Sequence, residues 1–381
     1  MTNTNPIEFY KQKGDNKNII VNTRKANYQD LCDAVYEKLI IPFENEWRER
    51  FAGYAKKINN NQAEYEKYRK KYAELLKGTS LEIYTSVGST IKSSPIFNVR
   101  FQGESIGNFT KSGNDIVFKF VSTHRKKNKD KRYNAAQFKK DGKTVLDEYG
   151  VKDTVNNKEF EIKVPSEKFN KLKEFFSEKN SGKIEREYDK SVNESQNKEH
   201  EFESAILTAL EDDLVLLNNT RFQMHTPLGA SFVITKNFVK YSGKYGKGPD
   251  ILTKKGNTLN VIELKDEPSE SKSGAAETPK NAIKQAICYA VFLNVLLNYR
   301  DNDDNYNSEC VKPWREILGF DTEGTLETNA VICMPYSSDN NIDLEPPVLN
   351  LRNGSTISLE KILFDKNKVN DTKYMKQRFS K

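Results

Sequence analysis

Gly248-Pro249-Asp250, separated by twelve residues from Glu263-Leu264-Lys265, sets two carboxylates and a lysine where they can share one task. A glycine-rich turn, Ser242-Gly243-Lys244-Tyr245-Gly246-Lys247-Gly248, leads into the aspartate. The glutamate and lysine close the apolar run 259–265. Side chains of a strand alternate between its faces, so Glu263 and Lys265 point one way while Ile262 and Leu264 point the other. Two carboxylates can hold a hard divalent cation, Mg²⁺ with Mn²⁺ as a substitute. Such a cation activates water and offsets the charge that builds on phosphorus during attack. The lysine adds a compact point charge for the attacking water or a phosphate oxygen. These residue types suit phosphodiester hydrolysis.

Glu-x-Lys alone is a weak sign in a chain with 30% charged residues, and it recurs at Glu161-Ile162-Lys163 and Glu270-Ser271-Lys272. Glu161 has no Pro-Asp before it, and the nearest upstream aspartate, Asp153, lies in a polar stretch. Glu270 lies in a loop rich in Ser, Glu and Lys. The setting of Glu263 is what separates it from these two.

The 381 residues are 36% apolar and 11% aromatic, with a net charge of +7, the balance of a globular protein with a charged surface. No window reaches the roughly 18 consecutive apolar residues of a membrane span. The first residues lack a basic segment followed by an apolar core, so a cytoplasmic location is expected. Four dispersed cysteines read as buried thiols, and three histidines argue against a histidine-rich metal centre. The positive charge concentrates at 124–133, where Arg125, Lys126, Lys127, Lys129, Lys131 and Arg132 face a single acidic residue, Asp130. Such a block can neutralise phosphates, or it is a solvated loop between strands. Lys244 and Lys247 beside the glycines are open to the same two readings.

Residues 27–77 show helical spacing interrupted at Pro42. Tyr65, Tyr68 and Tyr72 read first as a core seam and second as a stacking surface for bases. A period of two then marks strands at 81–84, 96–101, 115–120 and 160–164, with a helix at 165–178. The polar stretch 179–198 is taken as the boundary between an α+β domain, 1–190, and a second domain, 199–381. The first is expected to position nucleic acid or recognise its target. The second reads as helix 199–214, strands 230–238, 249–254 and 258–265, helix 279–298 and strand 329–334. Residues 301–327 read as an insertion with a short helix, and the tail past 365 as peripheral. The fold class expected is α/β, with a mixed sheet in α-β-β-β-α-β order.

Pro249-Asp250 and Glu263-Leu264-Lys265 within that order resemble the PD-(D/E)XK nuclease superfamily, which includes restriction endonucleases, recombination exonucleases and Holliday-junction resolvases. The resemblance covers 199–335 and implies a restriction-endonuclease-like core. It implies that Asp250 and Glu263 bind the metal, that the Leu264 carbonyl completes the inner shell, and that Lys265 positions or helps deprotonate water. Gln285 and Tyr289, one turn apart on an apolar helix, resemble the Gln-x-x-x-Tyr pair of the recombination helicase-nuclease branch and would orient Lys265 or the phosphate. Glu203 matches the helical glutamate that supports the metal in many members, with Glu199 next. The implied function is a Mg²⁺-dependent DNA endonuclease of restriction or defence type, with RNA kept open as substrate. The alternatives are a repair or recombination exonuclease and a non-catalytic nucleic-acid-binding scaffold. Double-strand cutting would call for a homodimer.

Overall fold

The computed structural model describes residues 9–11, 19–87, 97–124, 131–155, 160–187, 194–217, 221–243, 246–265, 279–299, 310–336 and 342–380. Two short strands, β1 (Phe9–Lys11) and β2 (Ile19–Asn22), come first. The helical spacing that follows folds as α1 (Tyr28–Ala34), α2 (Glu44–Asn60) and α3 (Gln62–Leu76). Pro42 has no N–H to donate, and around it the chain loosens into a π-helical stretch, Val35–Ile40, and tightens into a 3-10 turn, Ile41–Phe43.

The strands of the next segment are β3 (Glu82–Val87), β4 (Phe97–Phe101), β5 (Glu104–Ser112), β6 (Asp115–Phe120), β7 (Ser122–His124), β8 (Lys131–Tyr133), β9 (Phe138–Lys140), β10 (Lys143–Thr144) and β11 (Glu161–Val164). Helices α4 (Glu167–Phe175) and α5 (Glu178–Ser181) and strand β12 (Glu185–Arg186) follow. After α6 (Glu194–Ala209) comes β13 (Arg221–Met224). A six-stranded sheet has the order β11-β6-β5-β4-β3-β13, with β13 parallel to β3 and the other neighbours antiparallel. Alternation along β4 buries Phe97, Val99 and Phe101 beneath α3 and α4, with Tyr65, Tyr72, Phe169 and Leu172 in the same core. The tyrosine seam is therefore core. β7 and β8 form a separate hairpin at the Ser105 end of this sheet, where Asn134 Nδ2 donates to the Ser105 carbonyl.

The remaining elements are α7 (Phe232–Lys236), β14 (Phe238–Lys240), β15 (Ile251–Lys255), β16 (Thr258–Leu264), α8 (Pro279–Asn298), α9 (Val311–Leu318), β17 (Glu327–Pro335), β18 (Val348–Asn350), β19 (Thr356–Phe364) and α10 (Thr372–Phe379). A five-stranded mixed sheet has the order β15-β16-β17-β19-β18. Strands β16, β17 and β19 run parallel, and β15 and β18 are antiparallel to their neighbours. One face carries Leu259, Val261, Ala330 and Ile332 into a core with α8, which is buried throughout 282–298. A helix apolar on all sides needs cover on all sides. Leu31 and Cys32 of α1 and Trp47 and Phe51 of α2 supply it opposite the sheet, the Trp47 ring meeting Phe292 edge-on at 5.5 Å. The other face carries Ile262, Leu264, Val331 and Cys333 against Ile206 and Leu207 of α6 and Met375 of α10.

The molecule is thus mixed α/β with two main sheets, and it departs from the sequence reading in four places. The break at 190 does not separate the cores, because α1 and α2 belong with α8 and β13 completes the six-stranded sheet. The β-branched run expected as strand 230–238 is helix α7, whose Val233 and Ile234 are buried with Ala230 at helical spacing, and only β14 is extended, pairing with β2. The three-strand meander is therefore reduced to the β15–β16 hairpin in this sheet. The tail past 365 is integral, since Val369 and Met375 are buried against α6. α9 is likewise no surface insertion, because Trp314 is fully buried and donates to the Phe51 carbonyl at 2.9 Å. Among the described residues no helix is long and apolar enough to cross a membrane.

Candidate active site

The β15–β16 hairpin turns at Gly256, which holds a left-handed φ of +59°, and its register pairs Ile251 with Ile262. One step further, Asp250 falls opposite Glu263. Asp250 Oδ2 accepts the Leu264 N–H at 2.8 Å, which fixes the aspartate across the end of β16. The Lys265 N–H donates to the Cys333 carbonyl at 3.0 Å, so β17 anchors the lysine backbone just past the strand. Lys265 Nζ lies 4.0 Å from Asp250 Oδ2 and 3.7 Å from Glu263 Oε2. The three side chains differ in exposure: 27% for Asp250, 13% for Lys265 and 0% for Glu263.

The glycine turn before Asp250 owes its position to close backbone contact. A Cβ on Gly248 would stand 1.9 Å from the Met224 carbonyl oxygen, and one on Gly246 would stand 1.9 Å from that of Thr226. Only glycine admits that approach. The Lys247 carbonyl accepts from the Thr226 N–H at 3.0 Å and from Thr226 Oγ1 at 2.7 Å. The end of β13 therefore serves as the platform on which Asp250 is presented. His225 on that platform is held below the ordinary imidazole range by burial, with the Lys247 charge adding to the effect.

Gln285 and Tyr289 occupy consecutive turns of α8 over the sheet face to which Glu263 points. Burial raises the Tyr289 phenol well above its usual range, and the nearby Glu263 and Asp250 carboxylates push it the same way. A side-chain hydrogen bond with Gln285 pulls in the opposite direction and does not win. Tyr289 is thus a neutral phenol close to two carboxylates, and Asp250, Glu263, Lys265, Gln285 and Tyr289 form one constellation. Leu264 is buried beneath it.

The donor set fits a hard divalent cation. Mg²⁺ is commonly held by one or two carboxylates with water filling the other positions. An ammonium group within 4.0 Å of both carboxylates shows that their geometry accommodates positive charge. Glu203 is not the third ligand of this group. It lies on α6, beyond the opposite face of the sheet, and forms an ion pair with Arg100 Nη1 at 3.6 Å. Among the described residues no three His, Cys, Asp or Glu side chains converge as a metal site.

Arg100 belongs to a half-buried polar network that sequence reasoning missed. Its guanidinium stands 4.1 Å over the Tyr84 ring, and it donates to Gln223 Oε1 at 3.0 Å and Asn98 Oδ1 at 2.9 Å. Glu82 pairs with Arg221 beside it and is raised by burial, which the arginine opposes. The one legible sign was an arginine inside the alternating run 97–101.

The proposed nucleic-acid contacts are scattered. Lys247 is exposed at the turn, and Lys131 is exposed on β8 beside the half-buried Arg132. Arg125, Lys126, Lys127, Lys129 and Lys244 lie outside the described residues. The β7–β8 hairpin and the Gly248 turn adjoin opposite ends of the six-stranded sheet, since Ser105 pairs with Arg100 and Arg100 with Glu82, whereas Met224 pairs with Val87. Comparison of the chain with protein-family models, curated proteins and solved structures finds no match in any of the three.

Proposed function

We propose that the chain is a divalent-metal-dependent nuclease of the PD-(D/E)XK type acting on DNA, with the second sheet as a shortened restriction-endonuclease-like core. The observation that carries this reading is the convergence of Asp250 and Glu263 on Lys265 Nζ, at 4.0 and 3.7 Å. Asp250 and Glu263 would hold Mg²⁺ or Mn²⁺, with the Leu264 carbonyl at the same strand end. When bound, the cation supplies Lewis-acid stabilisation of charge at phosphorus. Lys265 holds a proton and a positive charge at Nζ, where it can position the attacking water and meet a phosphate oxygen. Tyr289 and Gln285 stand on the α8 side of the two carboxylates, where they can meet a phosphate oxygen, and the apolar body of that helix excludes water from behind them. A two-strand cut would call on a homodimer, one site for each strand.

The test is cleavage of plasmid, linear and single-stranded DNA and of RNA with Mg²⁺. Discrete fragments identify an endonuclease, and loss from linear ends identifies an exonuclease. Asp250→Ala, Glu263→Ala and Lys265→Ala should each abolish cleavage with the fold intact by circular dichroism. Undiminished turnover in any of the three overturns the assignment, and no cleavage of any substrate favours a binding protein.

A further inference from the structure

A second polar site lies on the other face of the five-stranded sheet, away from Asp250. That face is divided. Its C-terminal half, Ile262, Leu264, Val331 and Cys333, is covered by α6 and α10. Its N-terminal half is polar and opens into a cavity of about 370 Å³. Strand pairing puts Thr253, Asn260, Asn329 and Ser358 side by side across four strands, with Glu360 one step along. Asn260 Nδ2 donates to Thr253 Oγ1 at 3.1 Å, and Asn329 Nδ2 donates to both Asn260 Oδ1 at 2.9 Å and Glu360 Oε1 at 3.0 Å.

These bonds leave a definite remainder. Asn329 has used both amide hydrogens, so its carbonyl oxygen is left as an acceptor. Asn260 keeps one N–H, and Thr253 and Ser358 keep hydroxyl hydrogens. The second carboxylate oxygen of Glu360 is a further acceptor. Donors from Thr253, Asn260 and Ser358 therefore stand in one row with acceptors from Asn329 and Glu360. A hydroxyl group both donates and accepts, so neighbouring hydroxyls on one ring match such a row where a purely accepting anion does not. The cavity lining sets Asp213, Glu327 and Glu360 against Lys254 and Lys255, so its charge balance does not favour phosphate. Leu210 and Phe379 add apolar lining to the cavity. An aromatic ring beside a polar row suits a ligand with one C–H face and one hydroxyl face.

We infer that this cavity binds a cyclic polyol, the shared chemistry of a free hexose and of the ribose of a nucleoside. The site stands apart from the candidate active site, on the opposite face and at the other end of β16. The test is calorimetric titration of the full chain with glucose, galactose and adenosine, and with sorbitol as a linear control. One ring class should bind with a millimolar Kd, and Ser358→Ala and Asn260→Ala should each weaken it about tenfold. Ser358→Ala removes a single oxygen, and its unchanged melting temperature would certify the fold. Asp250→Ala should leave the affinity unaltered. No heat from any ring compound at roughly 50 mM, equal binding of sorbitol, or parental affinity retained in both variants would overturn the site.

Discussion

Glu263 has no solvent exposure, yet it carries a group whose charged form burial penalises by several kcal/mol. Positions of this kind trade stability for chemistry. Glu263→Gln keeps the shape and removes the charge, so it should raise the unfolding free energy by about 1 kcal/mol while cleavage is lost. Urea titration measures the first effect. A variant less stable than the parent would show instead that the Glu263–Lys265 pair is a net support of the fold. Lys284, one residue before Gln285, is buried and bonds to the Thr23 carbonyl. Burial lowers its ammonium to about 8 from 10.5, with Lys280 adding to the effect. Between those two values the unfolded chain binds more protons than the folded one, so this group makes stability rise with pH from about 8 to 10.5. Below the lower value its full cost is present. Lys284→Met should remove that rise, read as the difference between variant and parent in urea midpoint at the two ends of the window. An unchanged difference would mean that the ammonium is solvated. The buried tyrosines act oppositely above their usual range, which is why the comparison is made between the two proteins.

At the scale of elements, Asp250 is held in place by a contact between two backbones. Gly248→Ala drives a methyl group into the Met224 carbonyl, and it should cost about 1–3 kcal/mol and abolish cleavage together. Gly53→Ala is the control: it sits in α2 with open space around it and should stabilise by about 0.5–1 kcal/mol. Equal melting temperatures for the two variants would contradict the platform described for β13. The same elements show what a sequence can reveal. α8 was legible because apolar residues continue through five turns, and β15 and β16 because two strand-like runs flank a short turn. α7 was not, because Val233 and Ile234 favour strands locally while the core takes them at helical spacing. Nor was the partner of Glu203, because Arg100 is brought to it only when β4 and α6 meet. β13 is four residues long and pairs with a strand far away in the chain, so no local pattern announces it.

For the whole molecule, the basic hairpin and the glycine turn bracket one sheet. Five steps of β3 separate the two ends, about 16 Å at the usual rise. A duplex touching both would lie along the sheet, with the hairpin as an electrostatic anchor rather than a part of the chemistry. Deleting 123–133 should therefore weaken DNA binding and flatten its dependence on salt, by about one slope unit for each phosphate that the hairpin neutralises. Turnover at saturating substrate should persist. An unaltered salt slope in filter binding would remove the hairpin from the interface. The late arrival of β13 has a further effect, which is felt while the protein is being made. β3 leaves the ribosome on the order of 10 s before its outer neighbour does, at ordinary rates of synthesis. During that interval the growing chain displays an open sheet edge, a template on which another copy can pair. A nascent chain cut short anywhere before Met224 keeps that edge for good, and chaperones must shield it or proteases clear it.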